Sequence, residues 1–486
     1  MKTNALTLMS LIVRTDSYKF SQWLQYPADT VNISSYIESR GGETESVFFG
    51  LQAFIIDYLL ERTTMQDINR AERIVQAHGL PFNREGWEVI VNEHDGFLPL
   101  TIEAVPEGTV MPTHNVQVQV RLTKDDARLA WLVSYIETCL LRAVWYPSTV
   151  ATKSRKFKKM IAAALLRSSD VPVSEQIMFK LHDFGARGAS SGETAMLGGM
   201  AHLVNFMGTD TAEALVGAMH YYNTEAVVGF SIPASEHSTI TSWGREHEVD
   251  AYENMIDKFS GPGKIYACVS DSYNIWAAIA NLWGGKLRDK VISSGGTLVV
   301  RPDSGKPVDV VVRCLQLLDE AFGSTVNHKG FRVLHPSVRL IQGDGINETS
   351  LPEILEAVMS AGYSIDNLAF GMGGGLLQAW NRDTLKYAMK ASARKTSAGE
   401  WIGFSKDPIT DHGKQSKEGR LGLIRSVGIG GSTIRTVPEE VAQEHGNLLR
   451  VVFCDGNLEV EDSFETIRDR AALHEREYTN EIMDRY

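Results

Sequence analysis

The chain has 486 residues, long for one ordinary domain, and its hydrophobic (43%) and charged (22%) fractions are those of a soluble globular protein. A formal net charge of −12 argues against a general binder of nucleic acid or of an anionic membrane, but leaves room for a local basic pocket. The four cysteines, Cys139, Cys268, Cys314 and Cys454, are too scattered for a zinc or redox motif and read as reduced thiols of a cytoplasmic protein, and no apolar stretch is long enough to span a bilayer.

Residues 5–13 form a short apolar run that faintly resembles a signal-peptide core. Arg14-Thr15-Asp16-Ser17-Tyr18-Lys19 follows where a small-residue cleavage pattern would stand, so no secretory segment is expected. Val31-Asn32-Ile33-Ser34-Ser35-Tyr36-Ile37 reads as a strand and residues 54–62 as a helix. Residues 98–105 read as a strand closed by the turn Pro106-Glu107-Gly108. Residues 125–167 carry a helical pattern, with an interruption expected at Pro147. Within it Lys153, Arg155, Lys156, Lys158 and Lys159 read as a solvated face.

From residue 178 onward one theme recurs: a short apolar run, a loop of glycine and polar residues, then often a helical stretch. The runs lie at residues 179–185, 203–210, 228–233, 265–271, 298–303, 340–344 and 368–375. Amphipathic helices are predicted between them, for example over 308–321 and 350–361. Continuous apolar runs are the mark of buried parallel strands, and strands alternating with helices imply a parallel sheet. The predicted class is therefore α/β: an irregular β/α barrel with a second, mixed α+β domain built from both chain ends. An open doubly wound sheet is the alternative, but no G-x-G-x-x-G follows an early strand. The expected division is 1–150 mixed domain, 151–390 barrel-like catalytic domain and 391–486 return to the mixed domain.

In such a fold chemistry belongs at the carboxyl ends of the strands, and the polar residues fall there. Phe370-Gly371-Met372-Gly373-Gly374-Gly375-Leu376-Leu377-Gln378 is an apolar run, a glycine loop and a helix start, suited to a phosphate. Arg382 is expected one or two turns into that helix, with Lys390 further on. A tight turn without a ligand is the alternative. Arg301-Pro302-Asp303-Ser304-Gly305 offers a guanidinium for phosphate and a carboxylate for ribose hydroxyls, or simply a strand-end salt bridge. Gln342-Gly343-Asp344-Gly345 adds a second carboxylate. Two such carboxylates beside a basic group suit a sugar phosphate, with or without Mg²⁺. His237 lies in Ser235-Glu236-His237-Ser238-Thr239, where neither the zinc spacing H-E-x-x-H nor a G-x-S-x-G elbow occurs. In isolation it reads as a satisfied histidine at a helix start, as do His114, His202 and His445 at their own positions.

Taken together and in order, these strings resemble the nicotinamide phosphoribosyltransferase family. The resemblance runs from Thr15-Asp16-Ser17-Tyr18-Lys19 through Trp145-Tyr146-Pro147-Ser148-Thr149, Leu181-His182-Asp183-Phe184-Gly185-Ala186-Arg187-Gly188 and Phe206-Met207-Gly208-Thr209-Asp210-Thr211. It continues through Pro233-Ala234-Ser235-Glu236-His237, Val269-Ser270-Asp271-Ser272-Tyr273 and the three strand-end motifs above to Phe404-Ser405-Lys406-Asp407-Pro408. It implies transfer of a phosphoribosyl group from phosphoribosyl pyrophosphate to nicotinamide in a homodimer with shared active sites. Mg²⁺ would be held mainly by the pyrophosphate, and ATP would be a coupled co-substrate. It implies that Phe184 and Tyr18 of the partner subunit sandwich the nicotinamide ring. Asp210 would close the ring pocket, accept from the carboxamide and discriminate against nicotinate by roughly a thousandfold. Arg187 and Arg301 would contact phosphate or pyrophosphate. Asp303, Gly343 and Asp344 would hold the ribose, and Gly373, Gly374 and Arg382 the 5′-phosphate, with Arg40, Lys390 and Lys406 as further phosphate-side groups. His237 would take a phosphoryl group from ATP while Asp271 orients it; His237, Asp271 and Asp303 form the catalytic set. Ala388 and Ala267 depart from the serines the family leads one to expect there. Nicotinate phosphoribosyl transfer, or an inactive relative acting as a binding protein, are the competing readings.

Overall fold

The computed structural model describes residues 9–410, 415–428 and 431–483, so part of the apolar run 5–13 lies outside the described residues. The chain divides into two units, Met1–Thr152 with Ala218–Glu225 and Trp380–Ala471, and Lys153–Gly217 with Ala226–Ala379 and Ala472–Tyr486.

The first unit is built on a seven-stranded antiparallel sheet. Its order is Trp401–Gly403, Ala388–Thr396, Thr30–Glu38, Val116–Leu122, Leu100–Ala104, Arg450–Cys454 and Asn457–Leu458, so three strands from the N-terminal part are flanked on both sides by strands from the C-terminal part. The interior strand Thr30–Glu38 is buried along almost its whole length, as a strand covered on both faces must be. Ile33, Ile37, Val118, Val120 and Ile102 belong to one apolar core.

The second unit carries a parallel six-stranded sheet. Its order is Gly208–Thr209, Leu181–Asp183, Leu368–Met372, Val338–Gln342, Thr297–Arg301 and Ile265–Val269. Here the first strand in sequence pairs with the last: Leu181, His182 and Asp183 lie beside Phe370, Gly371 and Met372. A doubly wound sheet would keep those two strands apart, so that alternative falls, and the sheet curls as a half-barrel. The segment around residues 230–234 makes one parallel bridge to Gly208 at one edge and another to Ala267 at the other. All seven predicted apolar runs are therefore found, six as ladder strands and one as this bridging segment. The predicted helices stand at Pro307–Phe322 and Ser350–Ser360.

Three sequence expectations are corrected. Helix Glu137–Ser168 runs through Pro147 without interruption. Hydroxyls flank the missing amide: Thr149 Oγ1 donates to the Trp145 carbonyl (2.5 Å) and Ser148 Oγ to the Phe49 carbonyl (3.1 Å), so burial overrides the local penalty. The basic face is not solvated. Lys153, Arg155 and Lys158 are buried; Lys153 and Lys156 pair with Glu348, and Arg155 and Lys159 with Glu477. Finally, helix Gly374–Leu377 has only four residues, because three glycines favour a turn over a helix. Arg382 therefore lies beyond it, in a turn where Asn381 Oδ1 accepts the Asp383 N–H at 2.8 Å. Among the described residues no helix is long and apolar enough to cross a membrane.

Candidate active site at the strand ends of the parallel sheet

The centre of the site is one carboxylate. Strand Ile265–Val269 ends just before Asp271, and helix His237–Thr241 begins with His237. Asp271 Oδ1 lies 3.0 Å from His237 Nε2. Asp271 Oδ2 accepts the Asp303 N–H at 3.0 Å and the Ser304 hydroxyl at 2.5 Å. Burial opposes ionisation of Asp271, but the hydrogen bonds from Ser304, His237 and the Asp303 amide outweigh it, and its pKa falls below the ordinary value. An ionised carboxylate only accepts, so His237 carries its proton on Nε2 and its lone pair on Nδ1. Nδ1 points back to the neighbouring strand end, 3.9 Å from Asp303 Oδ2. His237 is 46% exposed and open to a substrate, whereas Asp271 is 4% exposed.

Strand Thr297–Arg301 contributes the cation. Arg301 Nη2 lies 4.0 Å from Asp303 Oδ2, the outer limit of an ion pair, and its buried Nε has no hydrogen-bond partner. A strand-end salt bridge does not satisfy this guanidinium, and an anionic ligand would.

Phe184 lies on the inner side of the curl. It packs on Ala267, Val299 and Ile341 together with Ile232 and Ala369, so Ala267 lines this apolar floor. Its ring covers two glycines. A Cβ on Gly371 would stand 2.0 Å from Phe184 Cε2, and one on Gly343 would stand 3.2 Å from the same atom and 3.6 Å from Asp303 Oδ1. The ring, Gly343 and the Asp303 carboxylate thus share one space. The turn after Phe184 is held from below: buried Asp183 accepts the Gly185 N–H at 2.7 Å through Oδ1, and burial pushes its pKa up to about 6. That turn carries exposed Arg187 and leads to Gly188, which sits against Gly374. Asp344 is exposed at the next strand end, where Gln342 Nε2 donates to its carbonyl at 2.8 Å.

Asp210 follows strand Gly208–Thr209 and accepts the Ser231 hydroxyl at 2.5 Å. On the single chain Asp210 is exposed. The first unit holds the remaining residues. Tyr18 is 59% exposed in the 3₁₀ helix Ser17–Leu24. Arg40 Nε pairs with buried Glu38 at 2.7 Å. Lys390 has a lowered pKa, first through burial and then through the charges of Arg40, Lys19 and Arg382, against the opposing pull of Glu137. These cations repel one another and would welcome an anion. Arg382 Nη2 contacts Asp383 at 3.0 Å. Lys406 is exposed, its amide donating to Ser416 Oγ at 2.8 Å.

Sequence reasoning missed Ser304, Ser231 and Asp183. The two serines lie in the runs at residues 228–233 and 298–303 and the loops that follow them, and only their carboxylate partners, Asp210 and Asp271, reveal a role.

Cations, carboxylates and a glycine turn at the ends of parallel strands are the apparatus of an enzyme that handles a phosphorylated sugar. Comparisons with known proteins narrow the class. Residues 179–457 match the model of the nicotinate phosphoribosyltransferase family, and residues 10–102 that of the nicotinamide phosphoribosyltransferase N-terminal domain. A nicotinamide phosphoribosyltransferase of Xanthomonas campestris pv. campestris is 53% identical over 96% of this chain and 98% of that protein. One from Acinetobacter baylyi is 32% identical over 94% and 96%. Among solved structures, the nicotinate-nucleotide pyrophosphorylase of Pyrococcus furiosus shares the fold, with a TM-score of 0.58 and 16% identity over 99% of this chain and 98% of that one. The chain belongs to the nicotinamide phosphoribosyltransferase family.

Proposed function

We propose that this chain joins nicotinamide to the phosphoribosyl group of 5-phosphoribosyl 1-pyrophosphate, forming nicotinamide mononucleotide and pyrophosphate in NAD salvage, and that ATP drives the reaction through a phosphohistidine at His237. The observation that carries the reading is the continuous group His237–Asp271–Asp303–Arg301 at adjacent strand ends, in a chain 53% identical to a nicotinamide phosphoribosyltransferase.

The pyridine nitrogen is the nucleophile, so no general base is required. The ribose C1–oxygen bond breaks through a cation-like state, pyrophosphate leaves with the electron pair, and the nitrogen–C1 bond forms. The work of the protein is to place the ring and hold charge. Phe184 gives the ring one face and Tyr18 of the partner subunit the other, in a homodimer with shared sites. Asp210 accepts from the carboxamide, and Asp303, Gly343 and Asp344 hold the ribose. Arg187 and Arg301 take pyrophosphate oxygens. Gly373, Gly374 and Arg382 take the 5′-phosphate, with Arg40, Lys390 and Lys406 beside it. The curled sheet with its bridging segment is read as an irregular β/α barrel, in a cytoplasmic enzyme. Among the described residues no group of three ligating side chains forms a metal cage; Mg²⁺ would be held mainly by the pyrophosphate and would offset its charge.

In the ATP step the His237 Nδ1 lone pair attacks the γ-phosphorus and ADP leaves with the bridging oxygen. The proton stays on Nε2, hydrogen-bonded to the ionised Asp271, whose charge steadies the cationic ring.

The test is formation of the mononucleotide from nicotinamide, phosphoribosyl pyrophosphate and Mg²⁺, with labelled ATP followed by peptide mapping. The expected phosphoenzyme is acid-labile, base-stable and confined to His237. Label that persists in His237→Ala would overturn the histidine assignment, and no mononucleotide would overturn the activity.

A further inference from the structure

We propose that Ser304 is a positioning residue that couples ATP use at His237 to the grip on phosphoribosyl pyrophosphate. This deepens, and rests on, the phosphohistidine reading above.

Asp271 serves two elements at once. Oδ1 holds His237 Nε2, while Oδ2 holds the turn after strand Thr297–Arg301 by two bonds, from the Asp303 amide and from the Ser304 hydroxyl. The opposite side of the imidazole faces the same turn. Nδ1 is 3.9 Å from Asp303 Oδ2, and Arg301 Nη2 is 4.0 Å from that same oxygen. Both ring nitrogens therefore meet residues 303–304, one through Asp271 and one directly.

Phosphorylation puts a multiply charged group on Nδ1, where Asp303 already stands. The new charge repels the Asp303 carboxylate. It also attracts Arg301, whose buried Nε has no partner. The two residues proposed to hold ribose and pyrophosphate are thus the two that feel the phosphoryl group first. How they respond depends on the turn. Held by the Asp303 amide alone, the turn could pivot away and dissipate the repulsion. The second bond, from Ser304, fixes the turn to Asp271 so that the charge acts on the side chains of Asp303 and Arg301. Ser304 is exposed and its hydroxyl has this bond to make. Coupling of this kind is reciprocal: phosphate on His237 changes the affinity for the sugar phosphate, and the sugar phosphate changes the phosphorylation equilibrium of His237 by the same factor.

The experiment uses the full chain with Ser304→Ala and, as the rescue, Ser304→Thr. It reads KM for phosphoribosyl pyrophosphate and kcat, each with and without saturating ATP, and label on His237. The wild type and Ser304→Thr should show the same ATP-dependent fall in KM. Ser304→Ala should still take label on His237, but its KM ratio with and without ATP should lie within about twofold of one. An undiminished ratio in Ser304→Ala overturns the proposal. Loss of label in that variant overturns it too, because Ser304 would then serve phosphoryl transfer itself. A Ser304→Thr variant that behaves like Ser304→Ala also counts against it, since the hydroxyl is retained. An unlabelled wild type sinks the phosphohistidine reading and this proposal together, so the wild-type arm tells the two failures apart.

Discussion

Replacing Gly371 by Ala would drive a methyl group into the ring of Phe184. The new Cβ would stand 2.0 Å from Cε2, 2.1 Å from Cδ2 and 2.8 Å from Cζ, where ordinary contact begins near 3.4 Å. The backbone cannot absorb this. The Phe184 amide is bound to the Met372 carbonyl at 3.0 Å and the next amide to Asp183 at 2.7 Å, so the ring itself must retreat. It can do so only by leaving its rotamer or by crowding Val299 and Ile341. An off-rotamer ring costs about 0.5–1.5 kcal/mol and overpacking about 1–3 kcal/mol, so the folded state should lose roughly 1–3 kcal/mol. A displaced ring also loses its stack on nicotinamide, worth about 0.5–1.5 kcal/mol, which predicts a rise in the nicotinamide KM of roughly 2- to 13-fold. The assay is a double-mutant cycle with Phe184→Ala, read by denaturant unfolding and by KM. Once the ring is gone the clash is gone, so Gly371→Ala should cost almost nothing in the Phe184→Ala background. Equal costs in the two backgrounds, with a wild-type KM, would refute the proposed overlap and the placement of the ring.

Asp183 gives a pH-dependent prediction. Its pKa is raised by burial from 3.8 to about 6, so its contribution to stability is fully present below its ordinary pKa and is lost as pH rises through about 6. Two units correspond to ~3 kcal/mol. Asp183→Asn keeps an acceptor for Gly185 and removes the titration. The stability of Asp183→Asn relative to wild type should therefore climb by ~3 kcal/mol between pH 4 and 7 and then level off; a difference that does not vary with pH refutes the sign. Asp210→Asn should lower kcat/KM for nicotinamide and raise the relative rate on nicotinate. On the single chain Asp210 is exposed, and in water two charges 4 Å apart interact by only ~1 kcal/mol, so the ratio should shift about fivefold if no second subunit covers the site. A shift approaching a thousandfold would mean that the partner subunit encloses it, and an unchanged ratio would mean that Asp210 does not read the base.

What the sequence made visible, and what it hid, follows from the reach of each signal. A parallel strand buried on both faces is written locally, as a continuous apolar run, and seven such runs could be read in order from residue 179 to residue 375. Each run ends in its own polar loop, so Asp210, Asp271, Asp303 and Asp344 declared themselves one strand at a time. The pairings among them are not local. Gly371 reads as part of a phosphate loop, yet its lack of a side chain makes room for Phe184, far away in sequence. Lys153 and Arg155 read as a solvated face because Glu348 and Glu477 lie 195 and 322 residues away. Pro147 reads as a break because the packing and the Ser148–Phe49 bond that help carry helix Glu137–Ser168 past it are tertiary. Family resemblance supplied roles for residues but no distances, and so it left Ser304 without a role. Only the curled sheet, by setting the ends of strands Ile265–Val269 and Thr297–Arg301 side by side, puts that hydroxyl on the carboxylate that orients His237. A residue whose function lies in joining two neighbouring strand ends cannot be read from either strand alone, and such joints are where this site should be altered first.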